Sequence, residues 1–113
     1  MNISYEGIDQ VCITMRKKGE IKVGDACSAE GNNTVAISAD EQLITGVAAA
    51  VRGEYVSVII RGIVTLPYTG SAPGVGYCPL VGDGNGGVKY LLDGINYHVL
   101  EVNTSAHTVT FIL

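Results

Sequence analysis

Apolar residues recur along this chain in short alternating runs rather than at helical spacing, and the longest run spans Gly53 to Tyr68. It is rich in the β-branched residues that suit a pleated, half-buried surface. Val56, Val58 and Ile60 alternate with their neighbours, and beyond Gly62 the residues Ile63 and Thr65 fall on one side and Val64 and Leu66 on the other. The pattern predicts a central strand. Arg61-Gly62 breaks the alternation, so the second half is expected to bend toward a different neighbour before Pro67 ends the pairing.

The rest of the chain reads as further short strands between turn residues. Val11–Met15 predicts a first strand, with Arg16-Lys17-Lys18-Gly19-Glu20 as the turn after it. Gly24-Asp25 turns the chain into a short apolar Ala26-Cys27, and Glu30-Gly31-Asn32-Asn33 turns it again into a strand over Thr34–Ile37. Ser38 with Glu41 three residues on forms a capping box, the one candidate helical turn in the first half. Leu43–Val51 reads as a strand with an alanine patch, joined by a tight hairpin at Arg52-Gly53-Glu54 to the central strand.

Thr69–Gly76 is a glycine-rich surface loop. Tyr77–Val81 reads as a short strand that Pro79 confines to a sheet edge. Strands at Val88–Leu92, Tyr97–Val102 and Thr108–Leu113 follow, separated by turns. About nine short strands with almost no helix predict an all-β fold, a small barrel or sandwich. Residues 1–10 have little pattern beyond scattered Ile3 and Tyr5 and read as an arm that orders against a partner. Residues 11–113 read as a single β domain.

Composition changes this picture in one respect. Hydrophobic residues make up 47% and charged residues 16% of 113 residues, too little charge to cover so small a body, which favours a surface partly buried by partners. The net charge of −4, with Arg16-Lys17-Lys18 as the basic cluster, argues against nucleic acid as a partner. No run approaches the roughly 20 apolar residues of a membrane-spanning helix. The N-terminus lacks the basic and apolar regions of a signal peptide, so synthesis in a cytoplasm and no membrane partner are expected. Cys12, Cys27 and Cys78 are an odd set without metal-binding spacing and read as buried strand thiols.

Candidate chemistry is thin. Gly82-x-Gly84-x-x-Gly87 matches the dinucleotide fingerprint by letter, yet Val88-Lys89-Tyr90 follows where a helix N-terminus should hold the pyrophosphate, so a hairpin turn is expected. Asp83-x-Asn85 opens like a calcium loop, but the position of its bidentate carboxylate is Gly94. On strict alternation His98 shares a strand face with Leu100 and Val102, away from Tyr97 and Glu101, and His107 sits in a turn. The acidic residues are scattered singly over turns. No catalytic residue, cofactor or metal site is therefore assigned.

Several stretches resemble the small head-decoration, or capsid-cement, proteins of tailed bacteriophages. They are Val23-Gly24-Asp25, Ile44-Thr45-Gly46-Val47, Val58-x-x-Arg61-Gly62-x-Val64-Thr65-Leu66-Pro67, Val99-Leu100-Glu101 and the closing Thr108-Val109-Thr110-Phe111-Ile112-Leu113. The resemblance covers most of residues 20–113; Cys78-Pro79 and the N-terminal part depart from it. It implies a β-rich virion protein on the outer capsid surface, partnered by the major capsid protein, trimeric, and stiffening the shell. Partner contacts are expected at Ile3, Tyr5, Tyr68 and Tyr77. Two alternatives are a tail-tube or other tail component, which would form rings or tubes, and a carbohydrate-binding module stacking Tyr68, Tyr77, Tyr90 and Tyr97 on sugars.

Overall fold

Strand pairing closes the chain on itself twice. The computed structural model describes residues 10–113, so the expected N-terminal arm, with Ile3 and Tyr5, lies outside the described residues. Ten strands follow in order: β1 (Val11–Lys17), β2 (Ala26–Gly31), β3 (Thr34–Ile37), β4 (Gly46–Arg52), β5 (Tyr55–Arg61), β6 (Ile63–Thr69), β7 (Gly76–Gly82), β8 (Val88–Tyr90), β9 (Ile95–Asn103) and β10 (Thr108–Ile112). They form two closed barrels with strand orders β1-β3-β2-β4-β5 and β10-β6-β8-β7-β9.

The predicted central strand is therefore two strands, one in each barrel. Gly62 takes φ of 139°, a conformation that side chains with a Cβ rarely adopt, and this lets the chain leave the first barrel and enter the second in one residue. The expected bend is present. Pro67 does not end the pairing, because β6 continues to Thr69 and Pro67 itself stands opposite Thr108. Pro79 likewise does not mark an edge: β7 pairs with β9 through Gly76–Leu80 and with β8 from Leu80 onward, so the proline falls where the β8 ladder has not begun. The Ser38–Glu41 box forms no helical turn. Ser38 is buried, its hydroxyl is 2.6 Å from that of Ser28, and Glu41 is left-handed at φ 66°.

The two barrels repeat one another. In the first, β5 pairs Tyr55, Val56 and Ser57 with Arg52, Val51 and Ala50, then skips Ala49 and pairs Val58 and Ile59 with Ala48 and Val47. In the second, β10 pairs Thr108, Val109 and Thr110 with Asn103, Val102 and Glu101, then skips Leu100 and pairs Phe111 and Ile112 with Val99 and His98. On the other side of these strands β1 runs from Arg16 opposite Tyr55 to Cys12 opposite Ile59, and β6 runs from Pro67 opposite Thr108 to Ile63 opposite Ile112. Each first strand also pairs in parallel with its barrel's third, β1 with β3 and β6 with β8. The register of β2 against β4 departs from that of β7 against β9 by two residues when both are aligned through β3 and β8.

Side-chain size distinguishes the repeats. The first barrel holds Ile21, Cys27, Val35, Ala48, Val56 and Val58. The second holds Leu66, Tyr68, Leu80, Val99, Val109 and Phe111, and its core continues outward into Ala26, Ile44, Val47 and Ile59 of the first barrel. Those four residues face out of their own barrel and are buried by the other, so a single apolar cluster crosses the seam.

Backbone hydrogen bonds finish the seam. The Ala26 amide donates to the Gly86 carbonyl at 2.8 Å, the Glu41 amide to Gly82 at 2.9 Å, and the Gly82 amide back to Gln42 at 2.8 Å. Lys89 of β8 reaches Asp40 at 2.6 Å. This hydrogen bond to the carboxylate, before any other influence, holds the Lys89 ammonium above the usual lysine range.

Candidate interaction surface

The outer face of the second barrel carries a transverse row built by register. Tyr77 of β7 stands opposite His98 of β9, His98 opposite Ile112 of β10, and Ile112 opposite Ile63 of β6. All four point away from the barrel interior because their neighbours Cys78, Val99, Phe111 and Val64 are buried inside it. Tyr77 is 79% exposed, and its ring lies 5.1 Å from that of His98 at a tilt of 32°. At one end of this barrel Tyr90, Leu92 and Ile95 are also exposed, with Leu92 at 77%. The result is an apolar and aromatic face with little charge to keep water on it.

The bulge at Leu100 decides which side His98 takes. Strict alternation grouped His98 with Leu100 and Val102. The extra residue reverses the phase, so Tyr97, Val99 and Val102 pack inward while His98 and Glu101 face out. Tyr97 is half-buried against Phe111, ring centroids 5.1 Å apart, and burial pushes its hydroxyl above the usual tyrosine range.

Of the expected partner contacts in the described residues, Tyr77 lies on the exposed row and Tyr68 does not. Tyr68 is buried in the second core because β6 continues past Pro67 and turns it inward, its ring 5.6 Å from His107. Tyr68 and Tyr97 thus leave the set of tyrosines available to stack on a sugar, and among the described residues Tyr77, Tyr90 and Tyr55 are the exposed ones. Cys27 and Cys78 are buried strand thiols as predicted, whereas Cys12 is exposed on the outside of β1. The sequence signal for the row was the alternation on β7 and β10; what it lacked was the pairing that sets these strands side by side.

Turn chemistry accounts for the glycine-rich motif. An Asp83 carboxylate oxygen accepts the amides of Asn85 at 2.8 Å and Gly87 at 3.1 Å, folding residues 83–87 into a closed turn that leads into β8. Among the described residues no group of three His, Cys, Asp or Glu side chains stands close enough to hold a metal. Among the described residues no helix is long and apolar enough to cross a membrane.

Two concavities stand out among the described residues. One, of about 340 Å³, lies on β1, β5 and β4 over Thr14, Ser57 and Ala50, beside Tyr55 and Arg52. The other, of about 360 Å³, follows the seam along Val47, Ile59, Ile63 and Val64, beneath Gln10 and Val23. Neither is lined by a histidine or a carboxylate.

No protein-family model matches the chain, and no curated protein does. A solved structure, the N base of the head fibre gp8.5 of bacteriophage phi29, is similar over 93% of this chain and 94% of that one, with a TM-score of 0.62 and 19% identity. The likeness shows a shared all-β fold across the whole length, in a neighbour that is a phage head protein.

Proposed function

We propose that this chain is a structural, non-catalytic protein of a tailed-phage particle that attaches to the outer surface of the head and reinforces it. The observation that carries the reading is the end-to-end likeness to the base of a phage head fibre. It agrees with the resemblance of the sequence to head-decoration proteins. The exposed apolar face around Tyr77 and Ile112 suits a protein that works by contact, and repetition around a lattice raises weak contacts to high avidity. On this reading the partner is the major capsid protein, and the chain sits on the shell as a trimer.

The test uses heads and tails purified separately from particles that lack the gene for this chain. The full chain is added, unbound protein is removed by sedimentation, and both fractions are imaged by electron cryomicroscopy. The expected result is saturable, symmetric density on the outside of heads. Density confined to tails, or on neither fraction, overturns the proposal. Retention on a glycan array that disappears in Tyr77→Ala would assign the tyrosine face to sugars instead.

A further inference from the structure

The internal repeat gives each barrel the same two surfaces, and within one chain each surface is used once. The outward row of the first barrel, Cys12–Ile59–Val47–Ala26, delivers Ile59, Val47 and Ala26 into the core of the second, where Val64 is 6% exposed. By ladder position the counterpart of that row is Ile63–Ile112–His98–Tyr77, of which Ile112, His98 and Tyr77 are exposed while Ile63 is half-buried beside the seam. The counterpart of Val64, which stands opposite Phe111, is Ile13, which stands opposite Val58; Ile13 is 40% exposed, with Val11 exposed beside it.

The polar half of the seam repeats as well. Glu41 and Gln42, in the β3–β4 connection, exchange backbone hydrogen bonds with Gly82 at the turn between β7 and β8. The matching connection on the second barrel, between β8 and β9, presents exposed Leu92, and the matching turn on the first, Glu30–Asn33 between β2 and β3, is largely exposed.

We propose that the Tyr77–His98–Ile112 face of one copy docks on the Val11–Ile13 end of the first barrel of a second copy, joining copies head to tail. The occupant is a second copy because the chain already contains one such junction, built on the same ladder pairings of β1, β5 and β4 and differing by two residues only at β2. Both unused halves of another are apolar and lie on different barrels. The contact is heterologous, so copies close into a ring where the rotation permits, with first and second barrels alternating as near-equivalent units.

The inference does not depend on what the assembly binds, and it is tested without capsids. Mass is measured by native mass spectrometry and light scattering on the full chain at micromolar concentration. The wild type is expected at a multiple of 11.8 kDa. Tyr77→Glu and Ile13→Glu should each fall to 11.8 kDa with an unchanged melting profile; Val11→Glu repeats the second arm should Ile13→Glu lose its fold. Mixing the Tyr77 and Ile13 variants leaves one intact junction, so a one-to-one dimer and nothing larger is expected. A monomeric wild type, a mixture that stays monomeric, or an assembly that Tyr77→Glu breaks while folded Ile13→Glu and Val11→Glu do not, overturns the proposal. Rings that label no head would count against the capsid reading alone.

Discussion

Burial at single positions fixes how this protein responds to pH and to one added carbon. Desolvation first, and then the nearby Asp25 charge, push the Cys27 thiol from 9.0 up to about 11, against the lowering effect of the Ala48 amide. A pKa raised by folding contributes stability that is whole below about pH 9 and is lost as pH climbs through about 11. The raised Tyr97 and Lys89 act with the same sign. Cys27→Ala should therefore flatten the fall in unfolding free energy between pH 9 and 11, by on the order of 2 kcal/mol, in urea titrations at stepped pH. At pH 8 a thiol reagent should label exposed Cys12 quickly in the native protein and reach Cys27 and Cys78 after denaturation. Glycines separate in the same way. A Cβ at Gly46 would strike the Ile59 carbonyl oxygen, which the ladder holds in place, whereas Gly53 opens to solvent and is constrained by its φ of 57°. Gly46→Ala should cost about 3 kcal/mol and Gly53→Ala about 1 kcal/mol, read from urea midpoints.

At the scale of elements, turns decide where strands start, and their side-chain caps can be removed one at a time. Asp83 ties the amides of Asn85 and Gly87, and the turn it closes offers the Gly86 carbonyl to Ala26 across the seam. Asp83→Ala should lower stability by about 1–2 kcal/mol, while Asp83→Asn, which keeps an acceptor in place, should cost less than half as much in the same urea titration. Most strands were legible in the sequence for the same reason, since alternation and turn residues are local signals: β3 and β10 lie where the pattern puts them, and β1 starts where expected but runs on through Arg16 and Lys17 of the expected turn, because both pair across to β3. The failures share a cause. Gly62 bends the chain toward a different neighbour as the sequence predicts, but one central strand was expected where there are two, because alternation resumes after the glycine. Pro79 looked like an edge because the missing amide was counted without knowing where the β8 ladder begins. His98 was placed on the wrong set because the Leu100 bulge leaves no mark in composition.

At the scale of the whole molecule, the repeat is faint in the sequence because its identical counterparts are scattered common residues: Val51 and Val102, Val56 and Val109, Ile59 and Ile112, Thr14 and Thr65. Between them Ala48 stands where Val99 stands, Val58 where Phe111 stands and Cys12 where Ile63 stands, and only the ladder register shows that these positions correspond. The seam was hidden likewise, since Val47 and Ile59 read as strand-interior residues of their own barrel. Their true location, in the core of the other barrel, predicts that the two barrels unfold as one unit. The first barrel's interior is filled by small side chains, too few to hold about fifty residues against their conformational entropy, and its outward residues complete the second core instead. Ile59→Ala should cost about 2–5 kcal/mol, the range for a buried aliphatic truncation, and the loss should be felt on both sides of the seam. Native-state hydrogen exchange resolves this by residue. Amides of β9 and β10, including Val99 and Phe111, are expected to lose protection by the same factor as those of Val56 and Val58. A loss confined to β1–β5 would mean that the barrels open independently, and the shared cluster would then be a contact between two units rather than the core of one.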